Sequence, residues 1–283
     1  MSKGFIFTCL CAVSWASSIV LSRVILNSGE NPYNLAFWSS LFAFPYWITI
    51  AYRERSHFRI IRHKDWLVLF AMAMISSVAV GFAEVFAIKY SPAVNFAFLI
   101  RTVSVFTIIF AAIFLHEKIT WKKLILLITI TVGAYFLTTN GHAFHVSKGD
   151  IYTLTEAALI AFGTNILAKF ATNRLRPDTA ASGRFLIAIM PTLAIAMLNT
   201  TIHIPMLWPL ILTIALLDIS LSQFMFRAFK YSTASFVTMV MSFTPVLVSF
   251  MAIPILKESL TPIEMIGGLL IISSGILVEK LKI

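Results

Sequence analysis

The chain reads as an all-α membrane protein of ten transmembrane helices, arranged as two inverted five-helix repeats. Composition, the spacing of apolar runs and an internal duplication predict this. Hydrophobic residues make up 59% of the 283 positions and charged residues 12%, with mean hydropathy +0.90. Soluble domains carry about 25% charged residues, so a soluble globule is excluded. Met1-Ser2-Lys3 leads into an apolar run without a small-residue cleavage site, which predicts a first membrane helix rather than a removed signal peptide.

The duplication is explicit. Lys89-Tyr90-Ser91-Pro92-Ala93 recurs as Lys230-Tyr231-Ser232-Thr233-Ala234, at an offset of 141. Phe114-Leu115-His116-Glu117-Lys118-Ile119-Thr120 recurs at the same offset as Ile255-Leu256-Lys257-Glu258-Ser259-Leu260-Thr261. Duplicated apolar helices mark transporters built from repeats, with the substrate site between the halves. The repeats are assigned to residues 1–141 and 142–283.

A spanning helix needs about 20 apolar residues. The first two runs, 4–26 and 34–52, lead to a basic loop carrying Arg53, Arg55, Arg59, Arg62 and Lys64. Runs 66–88 and 93–115 are separated only by Lys89 to Pro92, and Lys118, Lys122 and Lys123 flank the start of 121–138. In the second half, 150–171 ends before Arg174 and Arg176, and 180–200 is followed closely by 205–228. Arg227 and Lys230 then lead into 233–255, and 263–279 ends at Lys280 and Lys282. Short connections predict that consecutive helices are antiparallel neighbours.

With the N-terminus inside, fifteen Lys and Arg fall on the cytoplasmic side and three (Lys89, Lys148 and Lys257) on the other. The positive-inside rule then places both termini in the cytoplasm, in a cell inner membrane. The same mapping explains the net charge of +10 without any nucleic-acid partner. Five helices per half is an odd number, so the second half enters the membrane the other way up. Pro45 with Pro191, and Arg23 with Lys169, pair at a second offset of 146. Cys9 and Cys11, two apart on one helix, cannot bond to each other.

Phe-Leu-x-Glu-x-Ile-Thr at Phe114 to Thr120, its echo at Ile255 to Thr261, and two inverted halves of five helices together resemble the drug/metabolite transporter superfamily, EamA type. Trp15-Ala16-x-Ser18 with Arg23, and Phe162-Gly163-x-Asn165 with Lys169, look like degraded forms of that family's Trp-Gly-x-Asn…Lys pattern. The resemblance implies a central cavity surrounded by helices 1–4 and 6–9, with helices 5 and 10 peripheral. It also implies a basic residue near the start of helices 2 and 7. Arg184 fits in helix 7, whereas Phe37-Trp38-Ser39 in helix 2 departs from the pattern and argues against a symmetric nucleotide-sugar site.

Ionisable groups within the hydrocarbon region cost about 2.5–3.5 kcal/mol on insertion scales, so they mark cavities, pairs or snorkelling chains. Arg23, Lys169 and Arg184 lie near helix ends and read as snorkelling. Arg101 lies roughly 12 Å into its helix and Glu84 lies in the same outer half. The two read as a structural ion pair, or as a gate in which Arg101 meets a substrate carboxylate or phosphate. Asp218, near the midplane, is the leading candidate for proton coupling, with a buried pair to Arg184 or Arg227 as the structural alternative. Glu156, about 9 Å from the end of its helix, is a second candidate.

Asn95, Ser242, Trp15 and Asn165 complete the candidate substrate-contacting set; Thr102, Ser104 and Thr244 offer further hydroxyls, with back-bonding to the helix as the alternative. Pro45, Pro191 and Pro245 interrupt helical bonding and suggest hinges. Gly267, Gly268, Ser274 and Gly275 allow close helix packing, which in a second copy would make a homodimer. The sequence carries no nucleotide-binding loop, no His/Glu metal motif and no nucleophile–base spacing, so no cofactor, metal or enzymatic reaction is read from it. The expected activity is secondary transport, as an exporter, of a small polar or amphipathic metabolite such as an amino acid. A lysolipid or lipid-linked sugar flippase, or a drug exporter, is the alternative on this fold.

Overall fold

The computed structural model describes residues 2–80, 83, 99–142, 149–256 and 261–281. Helix α1 spans Lys3–Asn27, α2 Pro32–Arg53, the short α3 Arg55–Phe58 and α4 His63–Ala73, which passes into a π-helical segment at Met74–Ala79. A 3₁₀ turn at Ile100–Thr102 opens α5 (Val103–Phe114), and α6 is Trp121–Thr139. Helices α7 (Asp150–Leu159) and α8 (Leu167–Arg174) are joined through a second π-helical segment, Ile160–Ile166. Then follow α9 (Pro177–Asn199), α10 (Trp208–Tyr231), α11 (Ala234–Met241), α12 (Thr244–Leu256) and α13 (Pro262–Leu281). Among the described residues, eight helical stretches are long and apolar enough to cross a membrane, and Ile100–Phe114 is a shorter apolar one. The predicted spans 66–88 and 93–115 run partly outside the described residues.

Local chemistry sets the helix ends. The Ser2 side chain accepts from the Phe5 amide to start α1, and Asn31 accepts from Tyr33 to start α2, with Pro32 in the first turn. Thr120 and Thr261, the repeated threonines, are both N-caps. Thr120 accepts from the Lys123 amide at 3.3 Å. Thr261 forms a reciprocal capping box with Glu264, at 2.7 and 3.3 Å. Asn140 ends α6 in the left-handed conformation (φ 52°).

Among the described residues, consecutive helices such as α8 with α9 and α9 with α10 do touch, but not most extensively. The most extensive packing joins one half to the other: α1 with α10, α2 with α9, and α6 with α13. Backbone polar groups satisfied within each helix leave the side-chain surfaces free to choose partners far along the chain. Pro45 and Pro191 lie inside α2 and α9, which pack together. Pro245 instead stands at the restart of a helix, after a turn at Ser242 and Phe243. The small-residue stripe of α13 is filled from within the chain. A Cβ on Gly267 would lie 2.5 Å from the Gly133 carbonyl oxygen of α6, and the Phe243 ring covers Gly275.

Both described chain ends meet at one end of the bundle. The Ser2 amide donates to Glu279 Oε1 at 2.6 Å and its hydroxyl to Oε2 at 2.9 Å. One apolar core, including Trp47, Leu69, Met72, Ile166, Phe226 and Phe229, runs between the halves.

Candidate functional site

A cavity of about 260 Å³ lies among α1, α5, α7, α9, α10, α11, the two π-helical segments and the 3₁₀ turn. Neither α6 nor α13 contributes to its wall among the described residues. The lining is divided between apolar groups such as Ile160, Met225 and Phe229 and a polar set centred on Arg101, Arg184 and Glu156.

Irregular backbone frames it. The π segments 74–79 and 160–166 face each other so closely that a Cβ on Gly163 would lie 2.5 Å from Ile75 Cγ2. Such segments insert one residue into the helical register and re-aim the side chains that follow. Arg101 sits in the 3₁₀ turn of the first half, and Ser242 sits at the break between α11 and α12. The two positions are 141 apart, the repeat offset. Each half therefore interrupts the corresponding helix at the cavity wall, where exposed polar backbone is tolerated.

Arg184 extends from α9 to the cavity. Its Nη1 donates to Ser76 Oγ at 3.2 Å and its Nη2 to Ser222 Oγ at 3.0 Å, and its guanidinium stands 5.8 Å from the Phe226 ring. It is not a snorkelling residue. Because α9 begins at Pro177, Arg184 lies about 10 Å into the helix, too deep for an interfacial position. The Nε atoms of both Arg101 and Arg184 are buried without a hydrogen-bond partner among the described residues. Glu156, buried on the wall, acts electrostatically on Arg101.

Trp15, Asn165 and Ser242 line the same cavity. Asn165 Nδ2 donates to Thr107 Oγ1 at 2.8 Å, tying the second π segment to α5. Ser242 and Ser104 lie 3.2 Å apart across the repeat boundary, and Ser104 also approaches Thr238 Oγ1 at 3.4 Å. Asp218 is not on the cavity wall. It is half-buried on α10, accepts from the Ser18 hydroxyl at 2.8 Å, and feels the Arg184 charge. Arg227, its other predicted partner, bonds Asp178 instead at 2.9 Å. Glu84 and Asn95 lie outside the described residues, as does any pairing of Glu84 with Arg101.

Lys169 also turns inward, donating to the carbonyls of Phe229 and Ser232 at 2.6 Å each and closing the C-terminus of α10. Ser76, Ser222 and Thr164 are cavity residues that sequence reasoning missed. Single hydroxyls inside apolar runs carry no signal of their own. Ser222 was discoverable only as the position one helical turn beyond Asp218.

A largely apolar cavity with a few buried polar groups, lined from both halves of a membrane helix bundle, is an arrangement suited to solute transport. The profile of the EamA-like transporter family matches residues 2–139 and again 147–279, and the chain belongs to that family. It is thus a multi-pass membrane protein of a family that transports small molecules. No curated protein sequence matches it. Solved structures share the fold: one, described as "Crystal structure of protein", superposes with a TM-score of 0.80 at 12% identity, covering 99% of each chain.

Proposed function

We propose that this chain is a secondary transporter that exports a small metabolite bearing a carboxylate or phosphate, an amino acid being the simplest such solute. One observation carries the reading: two arginines face one cavity, Arg184 answered by two neutral hydroxyls, with a buried Nε on each that has no acceptor among the described residues. An anionic substrate group supplies the missing acceptors, and Glu156 offers a counter-charge to a substrate ammonium. Charge-assisted bonds of this kind contribute about 1.5–3 kcal/mol each. Drug-sized ligands occupy pockets of about 300–1,000 Å³, so about 260 Å³ favours a small metabolite over a lipid or a drug.

The proposed topology is ten helices in two inverted halves divided near residue 141, with cytoplasmic termini in a cell inner membrane. The meeting of Ser2 with Glu279 at one end of the bundle supports an even number of spans, and the Lys and Arg distribution supports the orientation. Rocking of the halves about Pro45 and Pro191 would expose the cavity to alternate sides, with protons entering through Asp218.

Uptake of labelled amino acids and organic phosphates into proteoliposomes, with and without a pH gradient, tests the reading. Saturable uptake of an anionic or zwitterionic solute whose apparent affinity falls in Arg184→Ala is the expected result. Transport confined to uncharged or cationic solutes, or unaffected by both arginine replacements, overturns it.

A further inference from the structure

The loop after α2 carries chemistry that transport does not use. Arg53, Arg55, Arg59, Arg62 and Lys64 are all exposed, and none forms an ion pair among the described residues. The two carboxylates of the same stretch are turned inward. Glu54 accepts from Thr179 at 2.8 Å and pairs with Arg176 at 3.7 Å, and Asp65 pairs with Arg174 at 3.1 Å. Topology alone requires an excess of basic residues here; it does not require the acids to be withdrawn from the surface. The short helix α3 lies between them in sequence, its Phe58 seated against Gly183 of α9 and 5.9 Å from the Trp66 ring.

Beside this cationic face an apolar groove opens outward, lined by His63, Trp66, Leu67, Phe70 and Ile187. Leu67 and Phe70 are 68% and 55% exposed. The groove starts beside the basic loop, at His63, and runs along α4 as far as Phe70. A positive rim above a lipid-facing apolar groove complements one kind of molecule. We propose that it is a binding site for a bilayer phospholipid with an anionic headgroup. The headgroup phosphate sits among Arg59, Arg62 and Lys64, and an acyl chain lies along Trp66 to Phe70. Basic residues bordering membrane helices attract anionic headgroups. Since Phe58 contacts α9 at Gly183, next to Arg184, an occupied site would brace the helix that carries a cavity arginine.

The test uses the purified full chain in detergent, where membrane orientation plays no part. Phosphatidylglycerol with brominated acyl chains is titrated in, and quenching of Trp66 is read as the difference between wild type and Trp66→Phe. Saturable quenching is expected at far lower concentrations than with brominated phosphatidylcholine. In R59Q/R62Q/K64Q, whose replaced side chains are solvent-exposed, apparent affinity for phosphatidylglycerol should fall about fivefold per cation removed, on the order of a hundredfold together. Coincident curves for the two lipids, or an unchanged preference in the triple variant, overturns the proposal. Inorganic phosphate at millimolar concentration should leave the quenching in place; full reversal by phosphate would make this a free-phosphate site and overturn the lipid assignment.

Discussion

The carboxylate of Glu117 closes the N-terminus of a helix in the other half of the molecule: its Oε2 accepts from the Ser235 hydroxyl at 2.6 Å and the Ser235 amide at 3.2 Å, while Oε1 accepts from the Ala234 amide at 2.8 Å. Its sequence position, before the helix beginning at Trp121, suggests that it serves that helix. Thr120 caps that one instead, and Lys123 stands 3.9 Å from the Glu117 carboxylate. Glu117 therefore joins the end of α5 to the start of α11. Its repeat counterpart, Glu258, lies outside the described residues.

Glu117→Ala should orphan the Ala234 and Ser235 amides and destabilise the fold by about 1–2 kcal/mol, as loss of an N-cap does. Glu117→Gln keeps an acceptor oxygen and should lose less. Thermal unfolding in detergent reads the difference directly. Solute affinity of the surviving folded protein should stay near wild type in both. A Glu117→Gln protein with normal unfolding and no transport would assign this carboxylate to the transport cycle instead.

Gly133 and Gly267 fix the approach of α6 to α13. A Cβ on Gly267 would meet the Gly133 oxygen at 2.5 Å and the Leu137 amide nitrogen at 2.6 Å, both backbone atoms that cannot step aside. Gly267→Val should cost about 1–3 kcal/mol through overpacking, seen as a lowered unfolding midpoint. Gly268→Ala is the control, because its Cβ would make only an ordinary contact with Val246 at 3.8 Å. Equal stability of the two variants would show that the helices do not pack as described.

The spans and the duplication were legible because hydropathy and a constant offset are local, additive signals. Which residues line the cavity was legible only where depth was unambiguous. Arg101 stands far enough along its helix that small boundary errors do not matter. Arg184 was misread because the predicted helix began at 180, whereas Pro177, favoured in a first helical turn, starts it three residues earlier. That shift moves the guanidinium from the interface into the cavity. The Glu117 and Lys169 contacts each bridge segments at least 60 residues apart, and no local pattern encodes them. The π and 3₁₀ distortions were equally silent, since they arise from packing such as Gly163 against Ile75 rather than from composition.

The two cavity arginines should respond differently from an ordinary ion pair. Removing Arg184 as Arg184→Ala leaves Ser76 and Ser222 able to bond water, so the fold should survive while apparent substrate affinity falls about 10- to 100-fold, the value of a charged hydrogen bond. Arg101→Ala should weaken transport at all pH values by a comparable factor. Arg184→Lys should restore little, because an ammonium cannot reproduce the fork that meets Ser76, Ser222 and a planar anion together. Substrate concentration dependence in proteoliposomes measures all three. Wild-type affinity in Arg184→Ala would remove this residue from the substrate site.

Asp218 supplies the last prediction. Its carboxylate is held by the Ser18 hydroxyl of α1 at 2.8 Å, and its helix, α10, also carries Ser222, a ligand of Arg184. The α1–α10 contact joins the two halves, so a rocking motion that separates them would break the Ser18 bond and change the charge state the site prefers. Arg184, which bonds Ser222 one helical turn beyond Asp218, provides the link to substrate: an anion drawn to Arg184 would screen its charge from Asp218. Coupling by this route requires a carboxyl group that can gain and lose a proton. Asp218→Asn keeps the size and the hydrogen bond to Ser18 but cannot titrate. It should abolish accumulation driven by a pH gradient while leaving substrate exchange at equal pH largely intact. Ser18→Ala should leave coupling present but shift its pH dependence, since only the hydroxyl is lost. If Asp218→Asn still concentrates substrate in response to a pH gradient, the proton does not pass through this residue, and Glu156, already on the cavity wall, becomes the carboxylate to replace next.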